Sequence, residues 1–139
     1  METHTNTDFI NDLGYTWRDG RLRVMLSRRV PGLAPQVVKP AVDAVLQRQG
    51  LSVTDINWWV IHAAGNTILD NIRDALGIVE EKVTLSRGTL SEFGNTSSTS
   101  VGITGKKLMG EDIRPGNYAA VLSIGPGMTG GITLLRWLY

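Results

Sequence analysis

Ile56-Asn57-Trp58-Trp59-Val60-Ile61-His62-Ala63-Ala64-Gly65 is the stretch on which the fold turns. Asp55 to Ile61 is largely apolar and does not alternate between apolar and polar side chains. Such a run reads as a strand buried on both faces, the kind that lies inside a sheet with helices on either side. An imidazole follows at once, and then a glycine-bearing turn. His62 therefore stands at the carboxyl end of the strand, where open α/β sheets place their ligands.

The flanking segments supply the helices and the other strands. Ala34–Gln49 carries Val37, Val38, Ala41, Val42, Val45 and Leu46 at helical spacing, and Gly50 stops it. Pro40 fits the first turn of a helix or kinks one. Val30-Pro31-Gly32 before it reads as a turn. Gly20–Ser27 alternates Leu22, Val24 and Leu26 with Arg21, Arg23 and Met25, and reads as a half-buried strand. Asn66–Leu76 is a short helix with Ile68, Leu69, Ile72 and Leu76 inward and Gly77 as its stop. Val83–Leu85 reads as a short strand and Glu92-Phe93-Gly94-Asn95 as a turn. Thr96–Met109 is rich in small residues, among them Ser97, Ser98, Ser100, Gly102 and Gly105. It makes a helix only where another element comes close. Asn117–Ile124, the turn Gly125-Pro126-Gly127 and Gly131–Leu138 form an antiparallel hairpin. The class is α/β, with a mixed five-stranded sheet covered by helices. Residues 1–13 are expected to be a loose segment and residues 14–139 a single domain.

Composition narrows the chemistry. The chain has 139 residues, 42% hydrophobic and 19% charged, enough for a packed core. A formal net charge of +1 gives no reason to expect nucleic acid or an acidic membrane as partner. No apolar run reaches membrane-spanning length and Met1–Asn6 does not resemble a signal peptide, so the expected setting is cytoplasmic. There is no cysteine, which removes disulfides, thiolate metal sites and a cysteine nucleophile. No metal site is expected. Of the two histidines, His4 lies in the polar start, so imidazole chemistry rests on His62.

Four segments, in order, resemble one family. Val30-Pro31-Gly32-Leu33 is similar to the VPGL of chalcone synthase-like enzymes. Trp59-Val60-Ile61-His62-Ala63-Ala64-Gly65 resembles a strand ending in W-x-x-H-P-G-G. Leu90-Ser91-Glu92-Phe93-Gly94-Asn95-Thr96-Ser97-Ser98 resembles L-x-E-Y-G-N-M-S-S. Ser123-Ile124-Gly125-Pro126-Gly127-Met128-Thr129 resembles G-F-G-P-G-L-T. From about Gly14 onward the chain thus resembles the C-terminal domain of chalcone/stilbene synthases, the type III polyketide synthases of the thiolase superfamily. Ketoacyl synthase III enzymes come next, sharing the histidine and the G-N-T-S segment.

The resemblance implies one half of a thiolase-like fold. It implies an acyltransferase that extends an acyl starter with malonyl-CoA by decarboxylative condensation. No cofactor is held permanently; acyl-CoA and malonyl-CoA are substrates. His62 and Asn95 match the family's catalytic histidine and asparagine. Gly65, Asn66 and Thr67 match the loop near the pantetheine arm. Gly125, Pro126 and Gly127 match the loop that shapes the initiation and cyclisation cavity. The nucleophilic cysteine comes from an N-terminal half that these residues do not contain, so this chain alone is expected to be inactive. The helix Thr96–Met109, deprived of its counterpart in that half, is expected to mediate a homodimer.

Plainer readings stand beside these. A lone histidine at a strand end is more often structural than catalytic, and Gly94-Asn95 is an ordinary turn dipeptide. Gly125-Pro126-Gly127 is a hairpin turn whatever the function. Ala63-Ala64, Ser123 and Ile124 depart from the family pattern and put the substrate range in doubt. The alternative function is a non-catalytic module that binds acyl-CoA or a partner protein.

Overall fold

The computed structural model describes residues 1–139. Three strands, β1 (Glu2–Thr5), β2 (Leu13–Arg18) and β3 (Arg21–Leu26), precede the long helix α1 (Val30–Gln49). Then come β4 (Trp58–Ile61), the helices α2 (Asn66–Leu76), α3 (Thr84–Phe93) and α4 (Thr99–Leu108), and the hairpin β5 (Tyr118–Gly125) and β6 (Thr129–Arg136). The main sheet has the order β1-β6-β5-β4; β4 and β5 are parallel and the other pairs antiparallel.

The expected α/β class and mixed sheet are present, with four strands rather than five. Four local readings change, one of them at Val30-Pro31-Gly32, which was expected as a turn and instead opens α1. Glu2–Thr5, expected to be loose, forms β1 on the free edge of β6, where Arg48 of α1 also ion-pairs with Glu2. Gly20–Ser27, expected as a half-buried strand, supplies β3 of a separate hairpin with β2. Its Leu22, Val24 and Leu26 are exposed. Asp19 and Gly20 take positive φ at its tip, the geometry of a tight two-residue hairpin turn. Thr84 and Leu85, expected in a short strand, open α3, which takes in Glu92 and Phe93, the first half of the expected turn.

The strand read from Ile56–Ile61 is buried on both faces. Trp59 and Ile61, with Ala120 and Leu122 of β5, join the large core under α1 and α2. Val60 and Ala119 face the other way, toward Leu108 of α4. This period-two division places α1 and α2 on one side of the sheet and α3 and α4 on the other.

The start of α1 takes in Val30-Pro31-Gly32, with Pro31 in the first turn. Pro35 has no N–H for the Pro31 carbonyl; Asn71 of α2 donates to that oxygen instead, at 2.8 Å. Pro40 lies on the exposed side of the same helix, where water can meet the carbonyl it leaves unpaired. Gly50 ends α1 at φ 64°, the left-handed cap its sequence position implies. No helix is long and apolar enough to cross a membrane.

Candidate active site

The ladder between β4 and β5 continues one step past the strand. The backbone N–H of His62 donates to the Leu122 carbonyl at 3.0 Å. This fixes the backbone of His62 at the strand's carboxyl end and leaves the ring to be positioned by its neighbours.

Ser100, fully buried in the first turn of α4, is the main neighbour. Its Oγ lies 2.7 Å from Nδ1 of His62. The same oxygen accepts from the Ala63 N–H at 3.3 Å and donates to the Ser97 carbonyl at 2.7 Å. Burial pulls the pKa of His62 below its ordinary value, because a charged imidazolium loses hydration there.

Asn95 approaches from the loop between α3 and α4. Its Nδ2 donates to the Ala64 carbonyl at 3.2 Å, and its Oδ1 accepts from the Ser97 N–H at 2.9 Å. The amide nitrogen carries two hydrogens, so one N–H remains available to a ligand. Ser97 holds φ 57°, rare for a residue with a Cβ, and its bond to Asn95 accompanies that turn.

His62 and Asn95 line one cavity of about 340 Å³. Ile124 and Gly125 at the end of β5 and Pro126 of the following turn form part of its wall. Gly127 lies outside this lining, and its N–H donates to the Leu13 carbonyl at 3.3 Å, tying the turn to β2. Gly65, Asn66 and Thr67 border an adjoining cavity of about 320 Å³. Leu26, Val30, Ala64 and Ile68 line both cavities, and Arg28 flanks the second. The expected site residues thus form two groups side by side. No cluster of three or more His, Asp or Glu side chains that could hold a metal is present.

Sequence reasoning missed two contributors. The hairpin supplies Leu13, Tyr15, Val24 and Leu26 to the cavity wall. Its alternation was visible, but not the element it would pack against. Ser100 was visible only as one small residue in a small-sided helix. The available signal was a hydroxyl in the first turn of the helix after Asn95, where a side chain directed back toward the preceding turn can reach the end of β4. Thr96, also beside the cavity, keeps a buried Oγ1 without a partner.

A second buried hydroxyl supports the strand that presents His62. Ser86 of α3 accepts from the Ile61 N–H at 2.9 Å and donates to the Trp59 carbonyl at 3.4 Å. Farther out, Arg87 of α3 bonds Asp70 of α2 at 2.5 Å and pairs with Glu80, which also accepts from Arg73 at 2.5 Å. Arg87 reaches Asn66 at 3.5 Å as well, so this ion network abuts the first residue of α2.

Comparison with known proteins gives the family of the chain. Residues 46–137 match the family described as 3-oxoacyl-[acyl-carrier-protein (ACP)] synthase III C terminal. A 3,5-dihydroxyphenylacetyl-CoA synthase of Amycolatopsis orientalis is 32% identical over 134 residues, 94% of this chain and 36% of that protein. A β-ketoacyl-[acyl-carrier-protein] synthase III of Thermosynechococcus vestitus is 36% identical over 114 residues, 81% of this chain and 34% of that protein. Among solved structures, the type III pentaketide synthase of Neurospora crassa superposes with a TM-score of 0.83 at 28% identity, covering 97% of this chain and 39% of that one. The 1,3,6,8-tetrahydroxynaphthalene synthase of Streptomyces coelicolor shares the fold, with a TM-score of 0.89 at 24% identity, over 99% of this chain and 39% of that one. The chain thus spans a little over a third of the length of these relatives. Both groups that the motifs pointed to are present among them. With its strand-end histidine and the glycine-asparagine turn beside it, the chain belongs to the 3-oxoacyl-[acyl-carrier-protein] synthase III C-terminal family, a condensing-enzyme domain that it shares with type III polyketide synthases.

Proposed function

We propose that this chain is the C-terminal half of an acyl-CoA condensing enzyme, working in the cytoplasm with an N-terminal half that carries the nucleophilic cysteine. One observation carries the reading: His62 and Asn95 converge on a single cavity walled by the Gly125-Pro126 turn. In the assembled enzyme the cysteine thiolate takes the acyl group from its CoA ester and CoA leaves as its thiolate. Malonyl-CoA then loses carbon dioxide to give a thioester enolate. The enolate carbon attacks the acyl-cysteine carbonyl, and the thiolate departs as the new carbon–carbon bond closes.

Two charges develop along this path, on the thiolate and on the enolate oxygen. Asn95 Nδ2–H and a protonated His62 are the donors this chain offers to the oxygen, and imidazolium favours a nearby thiolate. Loss of one such donor costs about 10²–10³ in kcat. The loop Gly65-Asn66-Thr67 takes the pantetheine arm, consistent with its adjoining cavity.

The test is malonyl-CoA decarboxylation and condensation by the purified chain, alone and mixed with a cysteine-bearing N-terminal half of a relative. Activity in the mixture alone, abolished by His62→Ala and reduced by Asn95→Ala, is the expected result. A mixture as silent as the chain, despite a formed complex, removes the proposal. The absence of any cysteine favours one second reading, a binding module without catalysis. Coenzyme A binding that survives His62→Ala and Asn95→Ala marks that case.

We also expect a homodimer through α4. Gly102 lies exposed on this helix, and a Cβ there would meet nothing within 4 Å, so a second backbone can approach closely. Sedimentation should show a dimer that Gly102→Arg converts to monomer; a monomeric parent chain defeats the expectation.

A further inference from the structure

We infer that Ser100 is a positioning residue that fixes His62 as the Nδ1–H tautomer and turns the lone pair of Nε2 toward the cavity. The argument is one of valence at a single oxygen. A serine hydroxyl has one hydrogen to donate and two lone pairs with which to accept. The Ser97 carbonyl can only accept, so the 2.7 Å contact to it takes the Ser100 hydrogen. The Ala63 N–H can only donate, so it occupies one lone pair. His62 Nδ1, at 2.7 Å, meets the remaining lone pair and must bring a proton of its own. Any other assignment sets two lone pairs against each other inside a buried site, where an unmatched polar contact is most costly.

The surroundings keep this arrangement from relaxing. Ser100 is fully buried in the first turn of α4. Its donor partner is the carbonyl of Ser97, whose backbone is itself held by Asn95 Oδ1. Its acceptor contacts reach two consecutive residues after β4. The tautomer is therefore tied to the same turn that positions Asn95.

Neutral His62 offers no Nε2–H to a thioester oxygen; it offers a proton acceptor. With the proposed function, on which this step alone rests, the incoming cysteine S–H bond breaks and a His62 Nε2–H bond forms. The product is a thiolate and an imidazolium whose Nδ1–H still points at Ser100. Only after that transfer does Nε2–H become the partner of Asn95 Nδ2–H at the enolate oxygen. Ser100 thus sets the order in which His62 acts, first as base and then as donor.

The tautomer is readable in this chain by itself. Histidine is labelled with nitrogen-15, and His4→Gln removes the only other imidazole. Long-range proton–nitrogen spectra are recorded at a pH where His62 is neutral. The expected pattern is a protonated-type shift at Nδ1 and an unprotonated-type shift at Nε2. Ser100→Ala should move the pair toward Nε2–H, the form favoured by a free histidine side chain, and Ser100→Thr should restore the parent pattern. Should Ser100→Ala unfold, Ser100→Cys keeps the volume with a weaker acceptor and should shift the same signals part of the way. A parent chain in the Nε2–H form overturns the inference, as does a folded Ser100→Ala or Ser100→Cys chain with an unchanged pattern. The result does not depend on turnover. A confirmed tautomer with a silent complemented enzyme removes the proposed function and leaves the role of Ser100 standing.

Discussion

Gly130→Ala tests how closely α1 lies on the sheet. A Cβ built on Gly130 would lie 2.4 Å from the Val37 carbonyl oxygen, 2.5 Å from the Val37 carbonyl carbon and 2.7 Å from the Val38 nitrogen. Comfortable contacts between carbon atoms are about 3.5–4.0 Å, so α1 and β6 must separate by about 1 Å. The obstructing atoms are backbone in the middle of a helix, and no rotamer change relieves them. Overpacking of this kind costs about 1–3 kcal/mol. Here it should reach the upper end, because the shift also loosens Val37 and Val38 in the core. Removing glycine from the unfolded chain returns about 0.4–1 kcal/mol. The net loss is therefore about 2 kcal/mol, or about 4–8 °C in Tm for a domain of this size. Gly131→Ala is the control. Its nearest obstacle is the Ser123 hydroxyl at 3.1 Å, a side chain that can turn, so its net effect should be within about 0.5 kcal/mol of zero. Urea unfolding followed by tryptophan fluorescence, with equal m-values, gives both numbers. Equal stabilities for the two variants would refute the reasoning, since the unfolded-state term is common to both.

Three further outcomes follow from contacts already described. The Glu80 carboxyl is held at about 2, chiefly by its bond to Arg87 and then by Arg73. Its contribution is complete above the ordinary carboxylate pKa and is lost as pH falls from about 4.5 toward 2. Glu80→Gln should therefore flatten the fall of stability between pH 5 and pH 2, and parallel curves would contradict the sign. Ser86→Ala should lower stability by about 1–3 kcal/mol, because it leaves the Ile61 N–H buried without its acceptor. Hydrogen exchange at Ile61 reports this directly, and an unchanged rate would show that another acceptor takes over. Deleting residues 1–5 uncovers the edge of β6 and removes the Arg48–Glu2 pair. The shortened chain should melt earlier and scatter more light; an unaltered melt would return the segment to the loose state first expected of it.

The sequence was most legible where one physical demand dominated. A run apolar at every position from Trp58 to Ile61 has no exposed face to offer, and β4 has none. Gly50 and Gly77 follow helical patterns and cap them at positive φ. It was least legible where long-range pairing decided. Glu2–Thr5 has little apolar content of its own; it is a strand because β6 presents an open edge to it. Thr84–Phe93 has a weak helical pattern with glycine inside, and its packing against α4 and β4, through Ser86 and Thr89, settles the conformation. The hairpin's alternation was read correctly as extended chain, but periodicity says nothing about whether a strand joins the main sheet. At the candidate site, His62 and Asn95 were singled out because their neighbours resemble a known pattern. Ser100 carries no such mark, and only three distances to one oxygen reveal what it does.

Those distances bear on how a site can be divided between two polypeptide halves. Any partner supplying a thiol can orient a histidine only at the moment of contact, unless the histidine is held beforehand. Here the holding groups all belong to one chain. The Leu122 carbonyl fixes the backbone of His62, Ser100 fixes the ring, and Ala64 and Ser97 fix the amide of Asn95. None of these contacts waits for another polypeptide. Preorganised donors and acceptors contribute most when no reorganisation accompanies the reaction. Under the proposed function, an incoming cysteine needs only to be placed, and its proton meets an acceptor already aimed.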